Sequence, residues 1–278
     1  MVTQKTPHKT RLKPIDKALS NSFFMYRYYS TMLNTIRRFK SLINSNKLIL
    51  SRNALIFDKR IYSDMQTYWG QHAEDAIIRI FLPNTTDGFY VDVGAFHPTR
   101  YSNTYSFYLD GWTGINIDPS IDSINSFNAV RPRDVNINVG VADESGTLQY
   151  YRFEEGAFNT FDPTIACNWK EHSRPLPTET IRVERLESIL QLHLNERQID
   201  FLTIDVEGLE LSVLQSNDWL QYRPRLIVME VHGRLPVDEY TGLTVIKYLK
   251  ELNYVFVGIV GHSTYFLSHE EYSTYSAK

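Results

Sequence analysis

Five short apolar runs, each with an acidic or polar residue at or near its end, constrain this chain more than any other feature of its sequence. They are "GFYVDV" (88–93), "TGINID" (113–118), "DVNINVGVAD" (134–143), "DFLTIDVEG" (200–208) and "RLIVMEVH" (225–232). Runs of this length, rich in Val, Ile and Phe, read as strands buried on both faces. Helical stretches surround them: Gln71 to Phe81, with Ala73, Ile77, Ile80 and Phe81 on one face, and roughly 240–252. "TLQYYRF" and "TIRVERL" read as strands or strand edges around an irregular insertion at 154–179. "YVFVGIV" and "STYFLSH" are separated only by Gly261-His262, a turn so tight that the last strand must run antiparallel to its neighbour. The pattern predicts an α/β doubly wound sheet, mostly parallel, with helices on both faces and an antiparallel last strand. In such sheets the working loops lie beyond the carboxyl ends of the strands, so the first, fourth and fifth strand ends should converge.

The net charge of -3 conceals two differently charged parts. Residues 1–60 carry 13 Lys/Arg and only Asp16 and Asp58 as acids, whereas the remainder carries 16 Lys/Arg against 30 Asp/Glu. In the basic part Ile15, Leu19, Tyr26, Tyr29, Leu33, Ile36 and Ile43 follow helical spacing. A basic, partly helical extension over 1–66 is therefore expected ahead of a domain over 67–278. The arm suits an anionic membrane surface, a nucleic acid, or the chain's own acidic domain. Cys167 is the one cysteine, no run of about 18 apolar residues occurs, and no cleavable leader pattern opens the chain. A cytoplasmic protein with peripheral membrane contact is the expectation, its oligomeric state open.

The strand ends carry the chemistry. Asp92 and Gly94 end the first, where a glycine permits close backbone approach. Phe96 and Pro98 stand where a dinucleotide loop would place further glycines, which disfavours a pyrophosphate. Asp118 ends the second strand, where a carboxylate can accept both hydroxyls of a ribose or simply make a turn before Pro119. The third carries Asn138 and Gly140, then Val141 and Ala142, which suits an adenine ring or equally a strand end followed by a turn at Asp143–Gly146. Asp205 and Glu207 follow the fourth strand, and Glu230 and His232 lie two apart on the fifth. Such a group can act as a general base, bind a hard cation, or form an ion-paired network with Arg223, Arg225 or Arg234.

"VDVGAFHPTRYSNT", "GWTGINIDP", "RPRDVNINVGVAD", "FNTFD" and "IDFLTIDVEGLELSVL", in that order, resemble the FkbM-type methyltransferases. The resemblance covers about residues 67–270 and implies a Rossmann-like class I fold of seven strands that binds S-adenosylmethionine (SAM). It implies a first cofactor loop at Asp92, Gly94 and Ala95, polar followers at Asn103 and Thr104, a ribose acid at Asp118 and an adenine loop at Asn138 and Val139. Gln71, Glu74 and Asp75 are similar to an upstream "SQ..ED" element, with Gly70 in place of the serine. Asp205, Glu207 and Gly208 match the acidic motif, while the basic arm has no counterpart.

Members of this family methylate hydroxyls of sugars or related natural products, which implies a hydroxyl-bearing, carbohydrate acceptor. Of the residues present, His232 is the expected base, with Asp205, Glu207 and Glu230 beside it as catalytic partners. A divalent metal, if used, would fall to Asp205, Glu230 and His232. Two alternatives stand beside this. A nucleic-acid methyltransferase is disfavoured by the acidic domain and by the lack of an Asn/Asp-Pro-Pro-Tyr/Phe motif. A non-catalytic nucleoside-binding protein would use the acids only structurally.

Overall fold

The computed structural model describes residues 47–50, 55–58, 67–231 and 235–277. Contacts divide the chain into two units, 1–66 and 67–278. In the first, strands β1 (Lys47–Leu50) and β2 (Leu55–Asp58) pair antiparallel, with Lys47 opposite Asp58. The helical spacing expected over 15–43 lies outside the described residues.

The second unit runs α1 (Glu74–Phe81), β3 (Phe89–Val93), α2 (Tyr105–Leu109), β4 (Thr113–Asp118), α3 (Ile121–Val130), β5 (Val135–Asn138), β6 (Gly140–Val141) and β7 (Gly146–Tyr150). It continues through α4 (Pro163–Trp169), β8 (Glu179–Glu184), α5 (Leu186–His193), β9 (Phe201–Ile204), α6 (Glu210–Gln215), β10 (Leu226–Glu230) and α7 (Val237–Tyr240). It closes with α8 (Thr244–Glu251), β11 (Tyr254–Val260), β12 (Ser263–Ser268) and α9 (His269–Ser276).

Seven strands form one sheet in the order β11-β12-β10-β9-β3-β4-β5, and β12 alone runs against its neighbours. Period-two alternation divides the side chains between two cores. Phe89, Val91 and Val93 of β3 join Ile115, Leu202, Ile227 and helix residues Leu190, Val213 and Leu249. Tyr90 points the other way, with Phe201, Val228, Tyr265, Ile78 of α1 and Phe107 of α2. Both faces are thus covered, and the α/β expectation of seven strands holds.

Two sequence readings are corrected. The run at 134–143 is not one strand. It leaves the main sheet after Asn138, and Gly140–Val141 pairs instead with β8 in a small sheet of order β6-β8-β7. The buried face of α1 is Glu74, Asp75, Ile78 and Phe81, and Ile80 is 56% exposed. Two buried acids occupy that helical face: Asp75 accepts local backbone N–H groups, and Glu74 accepts one together with the distant Ser263 hydroxyl.

Candidate active site

A cavity of about 380 Å³ opens at the carboxyl ends of β3, β4, β9 and β10. That volume lies within the range of small-molecule sites. Asp92, Gly94, Ala95 and Asn103 line it from the first strand and its loop, and Asp118 from the second. Val139, Val141 and Phe161 give it an apolar wall, and Asp205, Glu207, Glu230 and Trp169 an acidic and aromatic one.

The loop after β3 owes its shape to a residue far along the chain. Arg131, with no exposed surface, donates from Nε to the Pro98 carbonyl at 2.8 Å and from Nη2 to the same oxygen. It also donates to Ser102 Oγ at 2.6 Å and Thr104 Oγ1 at 2.7 Å. Thr104 in turn donates to Asp92 Oδ2 at 2.8 Å. Burial pushes the Asp92 carboxyl up to about 6, even though Arg131 pulls it down.

Gly94 has φ 81, and a Cβ there would lie 1.8 Å from the Asp205 carbonyl oxygen. The glycine therefore admits the neighbouring strand end rather than only a ligand. Asp118 accepts the Phe96 and Ser120 N–H groups, each at 2.8 Å, one on each oxygen. The carboxylate lines the cavity and retains acceptor capacity for a ligand hydroxyl. Burial raises this carboxyl to about 6.

At the opposite wall, carboxylate oxygens of Asp205, Glu207 and Glu230 lie within 4.8 Å of one another. Glu207 is pushed up to about 8, first by burial and then by the Asp205 charge, while the Trp169 indole N–H, 3.2 Å from Oε2, opposes the rise. Burial also raises Glu230. Three carboxylates so close can share a proton or accept a hard cation through oxygen.

The family model described as "Methyltransferase FkbM domain" matches residues 92–256, more than half of the chain. The chain belongs to the FkbM methyltransferase family. No curated protein sequence matches it. Among solved structures it is similar to a TehB-like SAM-dependent methyltransferase from Corynebacterium glutamicum, with a TM-score of 0.38 and 9% identity, covering 86% of this chain and 99% of that one.

Within the FkbM domain and the segment ahead of it, the expected site residues separate into those that reach the cavity and those that support it. Gln71, Asp92, Gly94, Ala95, Asn103, Asp118, Val139, Asp205, Glu207 and Glu230 line it. Glu74, Asp75, Thr104 and Asn138 do not. Glu74 accepts the His72 N–H at 2.8 Å and the Ser263 hydroxyl at 3.0 Å. Asp75 accepts the Trp69 N–H at 2.9 Å, and Asn138 donates to the carbonyls of Asp118 and Pro119. In this structure these four hold loops and strand ends around the cavity. His232 lies outside the described residues.

Three residues that line or support the cavity escaped the sequence reading. Arg131 sits in the quoted "RPRDVNINVGVAD" stretch, but nothing local marks it as buried. Trp169 belongs to the insertion, whose pairing partners cannot be read from periodicity. His262 stands on the turn between β11 and β12 and lines the cavity because β12 pairs antiparallel with β10. That register brings the turn to the carboxyl end of β10, where Val231 N–H donates to the His262 carbonyl at 2.9 Å.

Proposed function

We propose that this methyltransferase uses SAM and transfers its methyl group to a hydroxyl of a carbohydrate or related acceptor. The observation that carries the reading is one cavity with a buried ribose-type acid, Asp118, at one strand end and three crowded carboxylates at two others. SAM, when bound, supplies an electrophilic methyl group. Asp118 would accept its ribose hydroxyls, the apolar wall of Val139, Val141 and Phe161 would take its adenine, and Asn103 its polar methionine end. That donor set fits the cofactor without a triple-glycine loop, since there is no pyrophosphate to cradle.

An acceptor hydroxyl needs somewhere to send its proton. Glu207, its carboxyl poised near 8, and Glu230 are the described groups suited to take it. His232, just beyond β10, is proposed to share that work. The same oxygens could instead hold a divalent ion that acidifies the hydroxyl. Among the described residues no helix is long and apolar enough to cross a membrane. Peripheral contact of the basic arm with an anionic membrane remains a proposal that flotation assays with and without residues 1–60 would test.

The deciding experiment is calorimetric titration with S-adenosylhomocysteine, with NAD as the control, followed by an acceptor screen of sugars and glycans with and without chelator. Saturable binding of the first ligand and none of the second is expected. No binding of S-adenosylhomocysteine would sink the proposal.

A further inference from the structure

The insertion between β7 and β8 grips one residue of the acidic loop at both its backbone and its side chain. Thr160, 1% exposed, donates its hydroxyl to the Glu207 carbonyl at 2.7 Å. Trp169 donates its indole N–H to Glu207 Oε2 at 3.2 Å. A Cβ at Gly208 would fall 2.4 Å from Ile165 Cδ1 and 3.3 Å from Asp162 Cβ, so the insertion packs directly on the turn.

The turn needs such support. Glu207 has φ 51 and Gly208 φ 111, and the left-handed region is strained for a residue with a side chain such as Glu207. The like charges of Asp205 and Glu230 would also drive the Glu207 carboxylate away from them. Trp169 is well placed to oppose both. Its ring stacks on Phe158, with centroids 4.4 Å apart and planes 18° apart, and His172 meets it edge-on at 5.4 Å. The indole cannot turn away without breaking both contacts.

We propose that Trp169 is a positioning residue for methyl transfer, through which the insertion holds the Glu207 carboxyl against the reacting hydroxyl. The proposal rests on reading the cavity as a SAM-dependent methyltransferase site. It gives the insertion a part in the reaction itself, beyond covering the cavity.

Trp169→Phe keeps a ring on Phe158 and removes only the N–H donor. Its Kd for S-adenosylhomocysteine should stay within about twofold of wild type, because the indole bonds the acidic loop and not the ribose acid. With an acceptor from the screen, kcat should fall about tenfold with KM for SAM unchanged. Combined with Glu207→Gln it should add nothing further, since both changes act on one contact.

A second readout needs no acceptor. The chain has four tryptophans, so the indole N–H region of a ¹⁵N–¹H spectrum is simple. In protein loaded with S-adenosylhomocysteine, the signal lost in Trp169→Phe should shift in Glu207→Gln and stay in place in Glu251→Gln, an exposed position at the end of α8. An unmoved signal in Glu207→Gln, or full kcat in Trp169→Phe, would overturn the role. Should Trp169→Phe fail to fold, Thr160→Val removes the other grip on Glu207 and should give the same fall in kcat and the same displaced signal. Failure of the wild-type protein to bind S-adenosylhomocysteine would strike the reading of the cavity. Normal binding with an unmoved indole signal would strike only the role of Trp169.

Discussion

Thr104 stands between Arg131 and Asp92, accepting from the guanidinium at 2.7 Å and donating to the carboxylate at 2.8 Å. All three are buried, and Asp134, 4.0 Å from Arg131, extends the network to the Tyr90 hydroxyl at 2.6 Å and the Gly114 N–H at 3.0 Å. Removing the cation strands two buried acids and the Pro98 carbonyl. Arg131→Met should therefore cost about 3–5 kcal/mol in urea denaturation, and it should loosen the 98–104 loop enough to weaken S-adenosylhomocysteine. Arg131→Lys should not rescue it, because an ammonium cannot make the forked contacts to Pro98, Ser102 and Thr104 together. A loss below about 1 kcal/mol would mean that something else holds the loop.

Asp118 is the residue on which cofactor affinity should turn. Asp118→Asn places an amide where two backbone N–H groups donate, and it removes acceptor capacity for a ribose. S-adenosylhomocysteine should bind about 10–100-fold more weakly in calorimetry, as expected when charge-assisted hydrogen bonds are lost. In the wild-type protein the affinity should fall as the pH drops through about 6, where the carboxyl takes up its proton. Affinity unchanged by the substitution would remove Asp118 from the site.

The strands and the acids at their ends were legible because local pattern decides them. A five-residue apolar run such as Phe89–Val93 has few other uses, and Asp118 and Asp205 punctuate such runs at once. What stayed hidden depends on pairing across long separations. Arg131 reaches back over 33 residues to Pro98, and Trp169 reaches forward over 38 to Glu207. The break of the third run at Val139 follows from pairing with β8, some forty residues later. Glu74 and Asp75 pose a different question. Their spacing resembles the upstream family element, and in this structure they accept backbone N–H groups of residues 69–72 and a serine hydroxyl on β12. Spacing alone cannot tell an acid that binds a ligand from one that binds the chain.

Gly94 tests whether the meeting of two strand ends is as tight as its geometry requires. A methyl group there would sit 1.8 Å from the Asp205 carbonyl oxygen, at a φ of 81 that alanine resists. Gly94→Ala must separate β3 from β9 and with it Asp92 from Asp205. Destabilisation of about 2–4 kcal/mol by thermal or urea unfolding is expected from overpacking and backbone strain together. Binding of S-adenosylhomocysteine should be lost even where the protein stays folded. A stable variant with normal binding would show that the two strand ends can part without disturbing the cavity.

Glu207 offers a test by pH. Its carboxyl is raised from 4.5 to about 8 by burial and by Asp205, so the native state favours the protonated form more than the unfolded chain does. Its stabilising contribution is therefore complete below the unfolded value, declines as the pH rises, and is gone once the pH passes about 8. Glu207→Gln keeps the shape and carries no charge, so it escapes that decline. The Tm of the variant relative to wild type should climb between pH 5 and pH 9 in chelator, by on the order of 3 °C, because the group is only partly shielded from solvent. Adding a divalent cation to the wild-type protein then separates the two uses of the cluster. An ion held by Asp205, Glu207 and Glu230 would favour the ionised carboxylates and flatten the difference, whereas a shared proton would leave it unchanged. A difference that does not vary with pH, with or without the cation, would mean that Glu207 is not crowded by its neighbours and would take it out of the candidates for the base.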